Sequence, residues 1–120
     1  MNLKKLLNYL LRRFTEKKCP SEQAILLGSK KQAICHFVTC EEFNQNVENS
    51  LEKTREILAN VKGNLVINGN LTQTVISKLI KLSQIQNRQF IVVVNDGYNL
   101  SITDDVNKAQ DLAVIIEETE

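Results

Sequence analysis

Two short apolar runs, Leu65-Val66-Ile67 and Phe90 to Val94, are rich in β-branched residues, and each is bounded by Gly or Asn. Between them Val75, Ile76, Leu79, Ile80 and Ser83 recur every three or four residues, the period of a helix laid on a sheet. The pattern predicts a βαβ crossover with strands at 65–68 and 90–95 and a helix over 72–86. A strand that is apolar at every position must be covered on both faces, so these two are expected side by side, parallel and at the middle of a sheet.

Ahead of this unit Leu3, Leu6, Leu7, Leu10, Leu11 and Phe14 follow helical spacing, with Lys4, Lys5, Arg12 and Arg13 on the flanks or the opposite side. This is a basic amphipathic helix over residues 1–18, and Pro20 marks the hinge to a single α/β domain at 19–120. Gly28-Ser29-Lys30-Lys31 joins two apolar runs, which reads as a β-hairpin with strands at 24–28 and 32–39. Alternation in the second strand puts Cys35 and His36 on opposite faces. A helix from about Glu41 to Val61 follows, capped by Thr39, with Glu41 and Glu42 complementing its dipole and Lys62-Gly63 ending it.

The tail reads in three ways. Asn95-Asp96-Gly97 has turn chemistry and residues 98–103 alternate, as a hairpin would; 105–118 holds one helical stripe; or a helix at Asp105–Gln110 precedes a strand at 112–116. The last is adopted, giving an α/β fold with a mixed sheet in the order α-ββ-α-β-α-β-α-β.

Composition adds little: 42% hydrophobic and 24% charged residues in 120 suit one globular domain that needs no disulfide or metal. Charge distribution says more than the net +1: residues 1–18 hold six basic and one acidic side chain, +5, against nine basic and thirteen acidic, −4, in the remainder. The leading helix is thus expected to meet an anionic surface. Three cysteines in a chain with neither the apolar core of a secretory signal nor a run near the ~20 apolar residues of a membrane span point to reduced thiols in the cytoplasm.

Candidate chemistry is sparse. Cys19, Cys35, His36 and Cys40 nominally form a Cys3His set, but without paired knuckle spacing, so neither metal nor cofactor is expected. Cys40, just before a helix N-terminus, has the best claim to thiol reactivity, opposed by Glu41 and Glu42. Asn68, Asn70 and Asp96 fall at the carboxyl ends of the two parallel strands, where open sheets bind ligands, with Asp104 and Asp105 as further candidates; turn chemistry explains the same residues. No glycine-rich phosphate fingerprint, catalytic set or recognition motif is present. The expectation is therefore a non-enzymatic regulatory or assembly module acting through contacts with a protein partner or with itself as a homo-oligomer. Its contact residues are Leu3, Lys4, Lys5, Leu7, Leu10, Arg12, Arg13 and Phe14. Two alternatives stand beside it: a small-ligand or nucleotide binder using the strand-end crevice, and a non-specific nucleic-acid binder using the basic helix.

Overall fold

The computed structural model describes residues 3–14, 25–94 and 111–119. In chain order these form α1 (Leu3–Phe14), a 3-10 turn (Lys31–Ala33), β1 (Ile34–Thr39), α2 (Cys40–Gln45), α3 (Val47–Asn60), β2 (Gly63–Asn68), α4 (Gln73–Ile85), β3 (Phe90–Val93) and β4 (Leu112–Glu118). The four strands make one mixed sheet in the order β1-β4-β2-β3. Burial explains that order. Leu112 to Ile116 are buried at every position, so β4 must be enclosed on both faces, and it runs antiparallel between β1 and β2.

The crossover is present: β2 and β3 pair in parallel, Leu65 opposite Phe90 and Asn68 opposite Val93, with α4 between them in sequence and capped by Thr72. Its expected place at the middle is corrected. Among the described strands β3 is an edge, with Ile91 54% exposed, and the tail strand takes the centre instead. A run of five apolar residues is compatible with an edge because its cover is partial: Phe90 and Val92 pack on one core cluster and Val93 on the other, while Ile91 and Val94 stay exposed.

The hairpin is also corrected. Ile25 is helical and residues 26–28 form a turn closed by the Ser29 N–H donating to the Leu26 carbonyl at 2.9 Å. Leu27 (φ 52°) and Gly28 (φ 82°) adopt the left-handed backbone that ends a helical turn, and Ile25 and Leu26 are buried consecutively, which a half-buried strand does not allow. The partner of β1 is β4 rather than the preceding segment.

The expected helix over 41–61 is two helices. Asn46 is extended (φ −156°, ψ 92°) and its side chain caps α3 by accepting from the Asn49 N–H at 3.0 Å. Asn competes for its own neighbouring backbone and so prefers a cap to a helix interior. Thr39 caps α2 as expected, in a reciprocal box with Glu42. Gly63, expected to stop the helix, lies in β2; a Cβ there would stand 2.6 Å from the Glu117 carbonyl oxygen of β4, so the close approach of the two strands requires glycine.

The sheet is packed on both faces. On one, Leu6, Tyr9 and Leu10 of α1, with Ile25 and Leu26, meet Ile34, Phe37, Val66, Leu112 and Ile115. On the other, Phe43, Leu51, Leu58, Ile76 and Leu79 of α2, α3 and α4 meet Leu65, Ile67, Ala113, Val114 and Ile116. Each fully buried Leu or Ile contributes roughly 1.5–3 kcal/mol, which is why helices of modest propensity are held in place. The strand adopted for the tail is observed; the helix at 105–110 and the alternative turn at 95–97 lie outside the described residues.

Candidate functional site

The first helix carries all eight contact residues expected from sequence, and the structure sorts its side chains into two sides. Leu6, Tyr9, Leu10 and Arg13 are buried, at the spacing 3, 4, 7 of a core-facing stripe. Leu7, Leu11 and Phe14 form a second line and stay 40%, 62% and 47% exposed. Six large apolar residues therefore do not make one stripe. Leu6 and Leu10 belong to a core face that also takes in Tyr9 and Arg13, and Leu7, Leu11 and Phe14 lie beside it. Lys4, Lys5 and Arg12 are exposed, and Leu3 opens the helix. Lys5 sets its Nζ 5.1 Å from the centroid of Phe37, whose ring tilts against Tyr9 at 5.5 Å.

Arg13 is a correction to the expectation of a flank or outer position. It is 1% exposed, and its Nη2 donates to Asp111 Oδ1 at 2.9 Å across 98 residues of sequence. The last turn of α1 is thereby tied to the start of β4. A guanidinium so enclosed serves the fold, and neither Arg13 nor the buried Leu10 presents a surface to a partner.

Between α1 and the edge of β1 lies a hollow of about 600 Å³ bordered by Lys5, Asn8 and Arg12 on one side and Phe37, Thr39 and Glu42 on the other. The Glu42 carboxylate accepts from the Thr39 N–H and hydroxyl in the capping box. Tyr9 and Phe37 are almost wholly buried at its floor, so little ring face is offered for stacking.

The strand-end candidates are placed differently. Asn68 is buried, its Nδ2 donating to the Leu112 carbonyl at 2.9 Å and its Oδ1 accepting from the Asn70 N–H at 2.9 Å. Its amide holds the end of β2 to the start of β4 and closes the turn before α4, while Asn70 is exposed. Asp96, Asp104 and Asp105 lie outside the described residues.

The cysteine and histidine geometry also departs from simple alternation. The register slips between Ile34 and His36, leaving Cys35 as an extra residue in β1. Cys35 packs on the cluster that contains Ile116, and Ile116 is the partner of His36, so the bulge turns both residues to one face of the sheet. Among the described residues, no group of three His, Cys, Asp or Glu is arranged to hold a metal.

Burial pushes the Cys40 thiol up to about 11, with the Asp111 carboxylate adding to the rise and Arg13 opposing it. The helix N-terminus does not activate it, and the thiol that had the better claim to reactivity among the cysteines is held protonated. In a Cys19→Ser/Cys35→Ser background, alkylation of Cys40 by iodoacetamide at neutral pH is expected to run about a hundredfold slower than for a free thiol. A rate near that of glutathione would contradict this environment.

Burial likewise drives the His36 imidazole down to about 4, helped by Lys5 and Lys53 against Glu42. Its Nε2 is buried and meets no hydrogen-bond partner among the described residues. Between about pH 4 and pH 6.5 the unfolded chain binds a proton at this residue that the folded chain does not, so stability falls as pH drops through that window. Because the ring is only partly enclosed, the loss is about 1–2 kcal/mol. Urea titrations at pH 4.5 and 7 should show a smaller pH difference for His36→Gln; an identical difference would remove His36 as its source.

No protein-family model matches the chain, and no curated protein sequence matches it. The fold is similar to the crystal structure of the YueI protein from Bacillus subtilis, with a TM-score of 0.60 and 18% sequence identity, covering 98% of this chain and 84% of that one. Among the described residues no helix is long and apolar enough to cross a membrane. The likeness at this identity is one of fold, and the chain is a single α/β domain with a mixed four-stranded sheet.

Proposed function

We propose that this chain is a non-enzymatic α/β module that acts through protein–protein contacts, with the outer line of α1 as its contact surface. One observation carries the reading. Leu7, Leu11 and Phe14, three large apolar side chains at the spacing i, i+4, i+7, are held in solvent on a helix whose other face is anchored in the core. Helix-in-groove recognition uses anchors at this spacing, and a rigid scaffold reduces the ordering penalty on binding.

A photo-crosslinking side chain at position 11, in the protein expressed in cells, is expected to give a discrete protein adduct. The same group at position 59, on the exposed side of α3, should not. An adduct of twice the chain mass identifies a second copy, and any other mass a different partner. Indistinguishable products from the two positions would defeat the proposal.

A second reading, non-specific association with nucleic acid, draws on the exposed cations Lys4, Lys5 and Arg12. It requires binding to labelled DNA or RNA that weakens steeply with salt. Mobility unchanged at low salt would dispose of it.

A further inference from the structure

We infer that β3 is a self-association edge: two copies of this chain pair antiparallel along residues 90–94 about a two-fold axis, joining their four-stranded sheets into one. This surface is separate from the outer line of α1, so the inference goes beyond the contact reading above and does not depend on it.

Alternation fixes which backbone groups of β3 are paired. The Leu65 N–H donates to the Gln89 carbonyl and the Gly69 N–H to the Val93 carbonyl, both at 2.9 Å. In a parallel ladder the N–H and C=O of one residue point to the same side, and successive residues point to opposite sides. Gln89, Ile91 and Val93 therefore turn theirs to β2, while Phe90 and Val92 turn theirs outward, with Val94 next in the alternation. Among the described residues no strand lies on that outer side.

Sheet edges in natural proteins are guarded by charge, proline or a bulge, because a bare one recruits another strand. The opposite edge of this sheet, β1, is guarded: its register slips between Ile34 and His36 and again between Val38 and Thr39. β3 has none of these devices. Phe90-Ile91-Val92-Val93-Val94 holds no charge and no proline, and its register on β2 is continuous from Phe90 to Val93. Ile91 and Val94 stay 54% and 67% exposed.

The pattern of exposure matches the strand to itself. In an antiparallel pair centred on Val92, the outward N–H and C=O of Val92 meet those of Val92 in the second copy, and Phe90 stands opposite Val94. Phe90 and Val92 pack on the cluster beneath α3 and α4 and Val93 on the cluster beneath α1, so Val94 emerges on the first side and Ile91 on the second. Each exposed side chain then lies across from a half-buried one, Val94 from Phe90 and Ile91 from Val93. No polar side chain is brought to the seam. A strand already ordered on β2 also pairs without the ordering penalty that an unstructured peptide meets. The two-fold pairing uses both outer edges and closes, so its product is a dimer.

In sedimentation equilibrium the full chain is expected to reach twice its 13.6 kDa mass as concentration rises. Across the seam the two Ile91 side chains are diagonal neighbours on one face, about 7–8 Å apart. Ile91→Lys and Ile91→Glu should therefore each weaken dimerisation about tenfold or more, with an unchanged circular dichroism spectrum. An equimolar mixture of the two variants should dimerise again, and Leu11→Ser should leave the dimer intact. A chain that stays monomeric at every concentration overturns the inference, whether another segment or another protein then covers β3, and leaves the α1 reading standing. A dimer indifferent to Ile91→Lys overturns it, and one that Leu11→Ser dissolves instead assigns self-contact to α1. Loss of the dimer in both Ile91 variants with no recovery on mixing overturns it as well.

Discussion

Asp111→Ala is expected to destabilise the protein by about 3 kcal/mol, read as a lower urea midpoint at unchanged slope. The reason is the state in which it leaves Arg13. That side chain is 1% exposed and donates to Asp111 Oδ1 at 2.9 Å, so the substitution takes a carboxylate partner from a desolvated guanidinium beneath the last turn of α1. Asp111 itself is 25% exposed, so some water reaches the site and the loss falls at the lower end of the range for a broken buried pair. The double replacement Arg13→Met/Asp111→Leu should recover most of the stability, because an apolar pair of similar volume needs no compensation. A single-mutant loss below about 1 kcal/mol would show that the pair is not enclosed as described.

Leu6→Ala and Leu11→Ala are expected to part company although both remove a leucine from the same helix. Leu6 is fully buried against both the sheet and the turn at Ile25–Leu26, and its truncation should lower stability by about 2–5 kcal/mol through lost transfer energy and a residual cavity. Leu11 is 62% exposed, and its truncation should change stability by no more than about 0.5 kcal/mol while weakening contact with a partner. Equal stability losses would mean that both sides of α1 are interior, and the proposed contact surface would then not exist.

Helical spacing of Leu3, Leu6, Leu7, Leu10, Leu11 and Phe14 is enough to predict an amphipathic α1, but it gives one stripe where there is a core face and one exposed line beside it. Tyr9 and Arg13 fall inside that face because they are three and seven residues from Leu6. A search that counts only apolar letters passes over an arginine whose charge is met by a residue 98 positions away. The same limit applies to Asn68. Its place at a strand end suggested a ligand crevice, yet its amide joins β2 to Leu112 of β4, 44 residues on. The break at Asn46 was within reach, since an Asn followed by Val47 and Glu48 is a helix start in its own right.

Local chemistry was sufficient for the elements that answer to neighbours in sequence: the parallel crossover of β2, α4 and β3, the Thr39 and Thr72 caps, and a tail strand at 112–116. Which strand became central, which side of α1 faced inward and which polar residues were enclosed depended on contacts between distant parts of the chain. β4 took the middle because all five of its leading residues needed cover on two faces, pairing with β1 on one side and β2 on the other and leaving β3 at an edge. Burial is a property of the assembled layers, so periodicity can nominate a face for the core, and only packing chooses among the nominees.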